Sequence, residues 1–433
     1  MRRLLRELVN VSTESSAAAC IVGPLLGRGG QGEVYRAGIE GRSLALKWYF
    51  PETIAADPAL RERLRTAIRA GSPSARFIWP LEIAVAPGSE EFGYIMRERE
   101  SRFVELASYW RDDDAHTFRT VATVGFELAH SFLALHGRGL CYTDINDRNV
   151  FVDADSGDIA ICDNDNVTSD GSTTAIQGTV GFRAPEVAHG TAAPSISSDL
   201  HALAVLLFLV LVRHHPFEGR LAEYSTFDRA AQREMYEARG IFIFDPANDT
   251  NRLALEHRTA HASWVRLPLR VRELFERAFT AGFRDPQARV TEGEWRRALL
   301  EARDAVFFCT GCGAENVYDP GPGAACVCAA CALPARALLQ LHLERQTIVL
   351  NSDSVVFAHH VDPAARFDFA TVIGRVEGHK ARPGVYGLKN LTAKPWRMRS
   401  AEGDWQDVVP GRRARVAPGT KIDFGTSCGT VGL

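Results

Sequence analysis

Three side chains near the middle of the chain have the types and spacing that phosphoryl transfer needs. Asp144 is followed five residues later by Asn149, within Cys141-Tyr-Thr-Asp144-Ile-Asn-Asp-Arg148-Asn149-Val-Phe-Val. A second β-prone run, Ile159-Ala-Ile-Cys, leads into Asp163-Asn164-Asp165. Moving a phosphoryl group calls for a carboxylate that orients the attacking hydroxyl and takes its proton. It also calls for hard oxygen ligands that hold Mg²⁺ against the phosphates. Asp144 is the candidate base, and Asn149 and Asp163 are the candidate Mg²⁺ ligands. Any one of them alone reads equally well as a turn cap; the ordered set is the argument.

A second group lies upstream. Gly27-Arg-Gly29-Gly30-Gln-Gly32-Glu-Val34 sits between two β-prone runs. Glycines in such a loop permit positive φ angles and a close approach to an anionic phosphate. A dinucleotide site uses similar spacing but opens a helix. Here a hairpin follows, ending in Ala45-Leu46-Lys47, so that Lys47 stands thirteen residues beyond Val34. The alternative for the glycines alone is a plain hairpin turn.

With Gly178-Thr179-Val-Gly-Phe182-Arg-Ala184-Pro185-Glu186 added, the chain resembles the protein kinases, over about residues 21–303. Six motifs occur in the family's order. The last two are Asp199, opening the apolar helix Leu203 to Val212, and Arg289 in Asp285-Pro-Gln-Ala-Arg289-Val. The resemblance implies a bilobal kinase fold, ATP and Mg²⁺ as cofactors, and transfer to Ser/Thr hydroxyls of a protein substrate. It implies nucleotide contacts at Gly27, Gly29, Gly32, Val34, Ala45, Lys47 and Met96. Thr179 matches the residue Ser/Thr kinases place near the base, and Glu186, Asp199 and Arg289 match structural positions. Glu62 is the candidate ion-pair partner of Lys47, with Glu52 as the alternative.

Several positions depart from the family pattern. Tyr142-Thr143 stands where kinases usually have His-Arg, so docking of an activation-loop phosphate is not expected. Asn146 replaces the lysine that neutralises the γ-phosphate, and Arg148 is the candidate substitute. Asp163-Asn164-Asp165 replaces Asp-Phe-Gly; Asp165 then reads as a further metal oxygen or as a turn residue. These changes keep a second reading open, a pseudokinase scaffold that binds nucleotide and works through its tail. A small-molecule phosphotransferase is the third, and the Gly178–Glu186 segment argues against it.

Nine cysteines are present, five of them between Cys309 and Cys331. Cys309-x2-Cys312, fifteen residues, then Cys328-x2-Cys331 is the spacing of a tetrahedral four-thiolate zinc site. Cys326 is a spare that could substitute; free thiols or an iron centre are the alternatives. Such a site implies Zn²⁺ and a reducing, cytoplasmic location. Ala17-Ala18-Ala19-Cys20 has the look of a lipoprotein cleavage site, but Glu7, Asn10 and Glu14 interrupt the apolar core a signal peptide needs.

The elements that must position these residues follow from periodicity. Residues 1–20 read as a short helix and a polar linker. Residues 21 to about 100 are strand-rich, with one helix over Pro58–Ala70 showing Leu60, Leu64 and Ile68 on one face. Thr117–Gly137 is an amphipathic helix stopped by glycine. Residues 190–305 are mainly helical, broken at Pro216, Pro246, Pro268 and Pro286. With 433 residues, 46% hydrophobic and 24% charged, the chain is globular, not coiled coil or fibre. No run is long enough to span a membrane. The expected class is α+β: an N-terminal extension over 1–20, a bilobal kinase domain over 21–305, a four-Cys zinc ribbon over 306–335, and an all-β module over 345–433.

That last module resembles a forkhead-associated (FHA-like) β-sandwich, by Gly374-Arg375, Gly387-Leu-Lys-Asn390-Leu, Trp396 and the Pro-Gly turns. The resemblance makes Arg375 the possible phosphopeptide residue, although the Ser-x-x-His loop that normally accompanies it is not evident. Trp396 and Trp405 read as core or strand-face residues. From Val372 onward the net charge is +6, against −3 for the whole chain, which suits an anionic partner for the module. No nucleic acid or membrane is implied for the chain. Kinase, zinc ribbon and FHA-like tail together resemble bacterial stress-signalling kinases of tellurite-resistance-associated systems. That kinship implies a PPM-type phosphatase and a von Willebrand A protein as partners.

Overall fold

The computed structural model describes residues 10–112, 116–172, 178–223, 228–319, 326–335, 338–352, 354–365, 368–379 and 382–433. Met1–His116, Thr123–His261 and Glu273–Arg296 form one compact unit; Thr117–Ala122, Ala262–Arg272 and Arg297–Leu433 form a second.

The first unit begins with a closed barrel of six strands: β1 (Asn10–Thr13), β2 (Ala19–Arg28), β3 (Gly32–Ile39), β4 (Arg42–Tyr49), β5 (Pro80–Val85) and β6 (Phe92–Met96), in the order β1-β2-β3-β4-β6-β5. β1 pairs with both β2 and β5 and closes the ring. Residues 10–20 are therefore part of this barrel rather than an extension of helix and linker; residues 1–9 lie outside the described residues. Their short polar sequence hid the strand, because β1 alternates only one buried apolar residue, Val11, with polar ones.

The period of two along each strand sorts the barrel's side chains. Val11, Cys20, Val22, Tyr35, Ala37, Leu46, Trp48, Ala84 and Ile95, from all six strands, form one buried cluster. The alternate residues Ala45, Tyr49, Ile83, Phe92, Tyr94 and Met96 form another with Leu60 and Leu64. Lys47 thus lies between Ala45 and Tyr49 on the second face. The two leucines belong to helix α2 (Leu60–Ala70), which follows the short α1 (Pro51–Ala56). Burying each leucine is worth about 1.5–3 kcal/mol relative to exposure, enough to fix which face α2 turns inward.

Beyond the barrel come β7 (Val104–Glu105), α3 (Leu106–Tyr109) and α4 (Phe118–His136). Four short strands follow: β8 (Leu140–Cys141), β9 (Val150–Val152), β10 (Ile159–Ile161) and β11 (Thr168–Ser169). β9 pairs antiparallel with β10, and β8 with β11. After α5 (Pro185–Ala188), helix α6 (Ile196–Val212) runs through the core; from Ala202 to Val212 it is apolar on all sides, as a fully surrounded helix must be. Ser195 caps it with a reciprocal pair of bonds to Ser198. Phe242, Phe275 and Phe279 pack edge-on around Phe208, with ring centroids 5.0–5.5 Å away.

The second unit carries a hairpin of Val306–Phe308 with Glu315–Val317, the four clustered cysteines and an all-β module. The module starts at Gln340–His342, five residues before the expected boundary. One sheet has six strands and the other four. Leu341, Ile348, Val356, Val376, Leu388, Trp396, Val408, Ile422 and Val431, drawn from both, share one core. Trp396 is in that core, whereas Trp405 is exposed with Arg397 and Arg399 against its ring.

Candidate active site

Antiparallel pairing of β9 with β10 explains how two distant motifs meet. The residue before one strand must lie beside the residue after the other, and Cys162 N–H donates to Asn149 O at 2.8 Å. Asp163 follows directly. It adopts a left-handed conformation (φ 51°), and so does Thr143 (φ 68°), the residue before Asp144. Non-glycine residues there cost on the order of 1 kcal/mol or more, and such strain concentrates at working sites. Thr143 is held by its hydroxyl on Asn166 O at 3.0 Å, and its amide and that of Tyr142 donate to the Asp199 carboxylate.

Asp144 stands in a web of donors. The Thr179 hydroxyl donates to its Oδ1 at 2.7 Å, and Asn149 Nδ2 donates to its backbone oxygen at 3.0 Å. Burial raises the Asp144 pKa above the ordinary aspartate value in spite of these donors. Asn146 Nδ2 reaches Asp144 O and Thr179 Oγ1, while its Oδ1 accepts the amides of Arg148 and Asn149. Asn146 therefore knits the loop together and brings no charge. The Arg148 side chain is exposed on the cleft rim.

The cleft, about 320 Å³, is lined by Gly27, Val34, Ala45, Ile78, Met96, Phe151, Arg148, Asn149 and Asp163, among others. That volume and its mostly apolar lining with a few convergent polar groups suit a small ligand. Val34, Ala45, Met96 and Phe151 supply the apolar lining, and Asn149 and Asp163 polar groups beside it. A Cβ on Gly27, Gly29 or Gly30 would meet nothing within 4 Å, so the fold itself leaves that loop room for a ligand. Gly32 differs: its Cβ would lie 2.2 Å from Trp48 O, so this glycine serves the close approach of β3 to β4. None of the four takes a positive φ, contrary to the expectation from sequence.

Lys47 is 4% exposed and makes every bond its ammonium allows. It donates to Gln31 Oε1 at 2.9 Å, Asp163 Oδ1 at 3.2 Å, and Asp165 Oδ1 and Oδ2 at 3.1 and 2.9 Å. Burial opposes its charge, but the two carboxylates outweigh that and hold its pKa above the ordinary lysine value. The sequence expectation that Glu62 pairs with Lys47 is corrected here. Glu62 is on the outer face of α2, with 64% of its side chain exposed, and bonds Arg65 and Arg69. With Leu60, Leu64 and Ala67 turned inward, a residue at position 62 must point outward. Glu52 is also exposed and makes no ion pair with Lys47. The Asp165 side chain, only 1% exposed, also accepts the hydroxyls of Tyr49 (2.7 Å) and Tyr94 (3.2 Å).

Gln31, Tyr49 and Tyr94 were not singled out from the sequence. Tyr49 is two residues beyond Lys47 on one strand and so on the same face, a signal that was available. Tyr94 stands directly across from Lys47 in the β4–β6 register, which only the pairing reveals. Asn164 replaces an apolar residue by bonding: buried completely, it donates to Ile78 O and Ile161 O, both at 2.9 Å.

Other expected residues are also located. Arg289 pairs with Glu186, and Asp199 is in the first turn of α6. Cys309, Cys312, Cys328 and Cys331 gather with their sulfurs within 4.8 Å of one another, a donor set fit for a soft divalent cation. Gly311 and Ala330 amides and Asn316 Nδ2 each donate to a cluster sulfur at 3.4 Å. Cys326 points instead to Val317 O. Arg375 lies within the strand Val372–His379, exposed, across from Lys389, which in turn faces Arg413. It is on an open sheet face rather than in a loop.

The protein kinase domain family matches residues 21–258, more than half of the chain. The rice CBL-interacting protein kinase 4 is 30% identical over 34% of this chain and 35% of its own length. A probable serine/threonine-protein kinase PknB of Corynebacterium glutamicum is 27% identical over 45% of this chain and 31% of its own. The serine/threonine-protein kinase PknE of Mycobacterium tuberculosis is 27% identical over 45% and 35%. The chain thus spans about a third of the length of these relatives, and its second unit lies largely beyond the matched segment. Barrel, helical core, cleft and motif order agree with that match, and the chain belongs to the protein kinase domain family.

Proposed function

We propose that this chain is a Ser/Thr protein kinase that transfers the γ-phosphate of ATP to hydroxyls of protein substrates. The observation that carries this is the cleft lined by Asn149 and Asp163, with Lys47 bonded to Asp163 and Asn149 bonded to Asp144. Lys47 draws the phosphates in, and Asn149 and Asp163 are the oxygen ligands for Mg²⁺. Bound Mg²⁺ would neutralise charge on the phosphates. Asp144, steadied by Thr179, orients the acceptor hydroxyl and takes its proton. The relatives' printed names support Ser/Thr specificity, as does Thr179 beside the base. Transfer of labelled γ-phosphate by wild type, lost in Asp144→Asn, is the test; equal incorporation by both would overturn the assignment of Asp144.

A pseudokinase scaffold is the second reading, favoured by one observation. Asn146 spends both ends of its amide within the loop and brings no charge beside Asp144. Nucleotide binding without transfer would select it.

For the second unit the reading is a structural zinc ribbon followed by an FHA-like module. Four gathered thiolates and the two-sheet core support these in turn, and thiolates imply a reducing, cytoplasmic setting. Arg375, Lys389, Arg413 and Arg415 share one sheet face with Glu377 as the acidic member, which suits an acidic or phosphorylated protein segment. A PPM-type phosphatase and a von Willebrand A protein remain the proposed partners, by domain order and the Asp163-Asn164-Asp165 variant.

A further inference from the structure

Lys47 faces three acceptors, and they are not equivalent. Gln31 belongs to the glycine loop, and Asp163 opens to the cleft with 42% of its side chain exposed. Both can turn toward a ligand. Asp165 cannot. Its two oxygens accept the hydroxyls of Tyr49 and Tyr94 and share the one Lys47 N–H left after Gln31 and Asp163. Both oxygens are thus engaged, and the carboxylate does not line the cleft. Inside a buried site such a carboxylate is a fixed point.

Helix α2 offers no substitute. Its inward residues are Leu60, Arg63, Leu64 and Ala67, and its single acid, Glu62, faces outward. Arg63 bonds Asp57 at 2.7 Å. Leu60 and Arg63 line the pocket behind Asp165, so the helix contributes packing and a positive charge there.

We propose that Asp165, locked by Tyr49 and Tyr94, is the positioning residue that holds Lys47 for the nucleotide phosphates, making the lysine's placement independent of helix α2. The metal-binding loop then carries both functions two residues apart: Asp163 for the cation and Asp165 for the lysine. Displacement of α2, which would break a lysine–helix ion pair, leaves this one intact. The inference rests on the kinase reading for its purpose, but the geometry can be tested without phosphoryl transfer.

The experiment measures Mg-ATP affinity by calorimetry, and transfer rate, for wild type, Asp165→Asn, Lys47→Met, the double variant Asp165→Asn/Lys47→Met, and Glu62→Ala. Thermal melting checks that each is folded. The expected result is at least a tenfold loss of Mg-ATP affinity in Asp165→Asn, no further loss when it is added to Lys47→Met, and no change in Glu62→Ala. Non-additivity shows that Asp165 acts through Lys47. Wild-type affinity in Asp165→Asn would overturn the proposal, as would additive losses in the double variant. A tenfold loss in Glu62→Ala would equally do so. If Asp165→Asn does not fold, Tyr49→Phe/Tyr94→Phe removes the lock and keeps the charge. A severalfold affinity loss there, absent in the Lys47→Met background, supports the proposal, and no loss overturns it. If wild type binds Mg-ATP but transfers nothing, the kinase reading fails while the affinity cycle still decides the role of Asp165.

Discussion

Arg289 closes on Glu186 through two parallel bonds, Nη1 to Oε1 at 2.6 Å and Nη2 to Oε2 at 2.7 Å. The arginine side chain is 2% exposed and the glutamate 19%. Arg289 also donates to Ser197 O at the start of α6 and to Gly282 O. The pair therefore pins the end of the Gly178–Glu186 segment to the helical core. Removing one partner strands a buried charge, so Glu186→Ala should lower the stability of the protein by about 3–5 kcal/mol. Glu186→Gln should lower it less. Denaturant unfolding of both variants checks this; a loss under 1 kcal/mol in Glu186→Ala would mean the arginine finds other partners.

The base can be tested apart from its support. Asp144→Asn removes the proton acceptor and should cut transfer by about 10²–10⁴-fold with nucleotide affinity retained. Thr179→Val removes the donor that steadies Asp144 Oδ1 and the acceptor of Asn146 Nδ2, and misplacement of that order costs about tenfold to hundredfold. Thr179→Ser should restore most of the rate. Initial rates at saturating ATP distinguish the three.

His136 supplies the pH dependence. It ends α4 and bridges two carboxylates, Nε2 to Asp199 at 3.1 Å and Nδ1 to Glu292. Burial disfavours its charge, yet the bonds to Asp199 and Glu292 raise its pKa to about 9. Unfolded, it returns to about 6.5. The charged form stabilises the fold fully below pH 6.5, and that contribution is lost as pH rises through 9. A shift of this size is worth on the order of 3 kcal/mol. Thermal melting from pH 6 to 10 should show wild type losing its advantage over His136→Gln at the alkaline end. A constant difference would show that the bridge is uncharged. Asp199 carries the amides of Tyr142 and Thr143, so the same loss should loosen the loop that carries Asp144.

The glycine loop separates two roles that look identical in the sequence. Gly32→Ala would drive a Cβ to 2.2 Å from Trp48 O, and a clash with backbone there should cost about 1–3 kcal/mol or more. Gly29→Ala meets nothing and should leave stability within about 0.5 kcal/mol. Its effect, if the loop closes on phosphates, should appear only in Mg-ATP affinity. Melting and binding of both variants check the division.

These contrasts show what the sequence made legible. That Asp144, Asn149 and Asp163 meet was readable because spacing along the chain is enough when one hairpin, β9–β10, brings the motifs together. The partner of Lys47 was not. Choosing Glu62 required knowing which face of α2 is buried, and Leu60 and Leu64 already implied that position 62 points outward. Asp165 read as a further metal oxygen or a turn residue, and it does lie in a 3-10 turn; its bonds to Lys47 and Tyr94 were not legible, because Tyr94 reaches it only through strand register. Likewise β1 was missed because a mostly polar strand closing a barrel has no apolar period to show. Arg375 follows a glycine and stands in a strand, which its place among short β-prone runs and turns left open.

The four cysteines give the last prediction. Their sulfurs are paired at 3.6 Å, Cys309 with Cys331 and Cys312 with Cys328. These separations suit thiolates sharing one tetrahedral ion at about 2.3 Å from each sulfur. A module this small would draw its folding energy from such an ion. Metal analysis of the purified chain should find one zinc, and Cys312→Ser should release it. Chelation of wild type should then loosen the hairpin Val306–Phe308 with Glu315–Val317 in hydrogen exchange while Mg-ATP affinity stays within about twofold, because the nucleotide cleft draws none of its lining from these residues. Undiminished zinc in Cys312→Ser would place the ion elsewhere, whereas loss of nucleotide binding on chelation would show that the ribbon supports the kinase cleft.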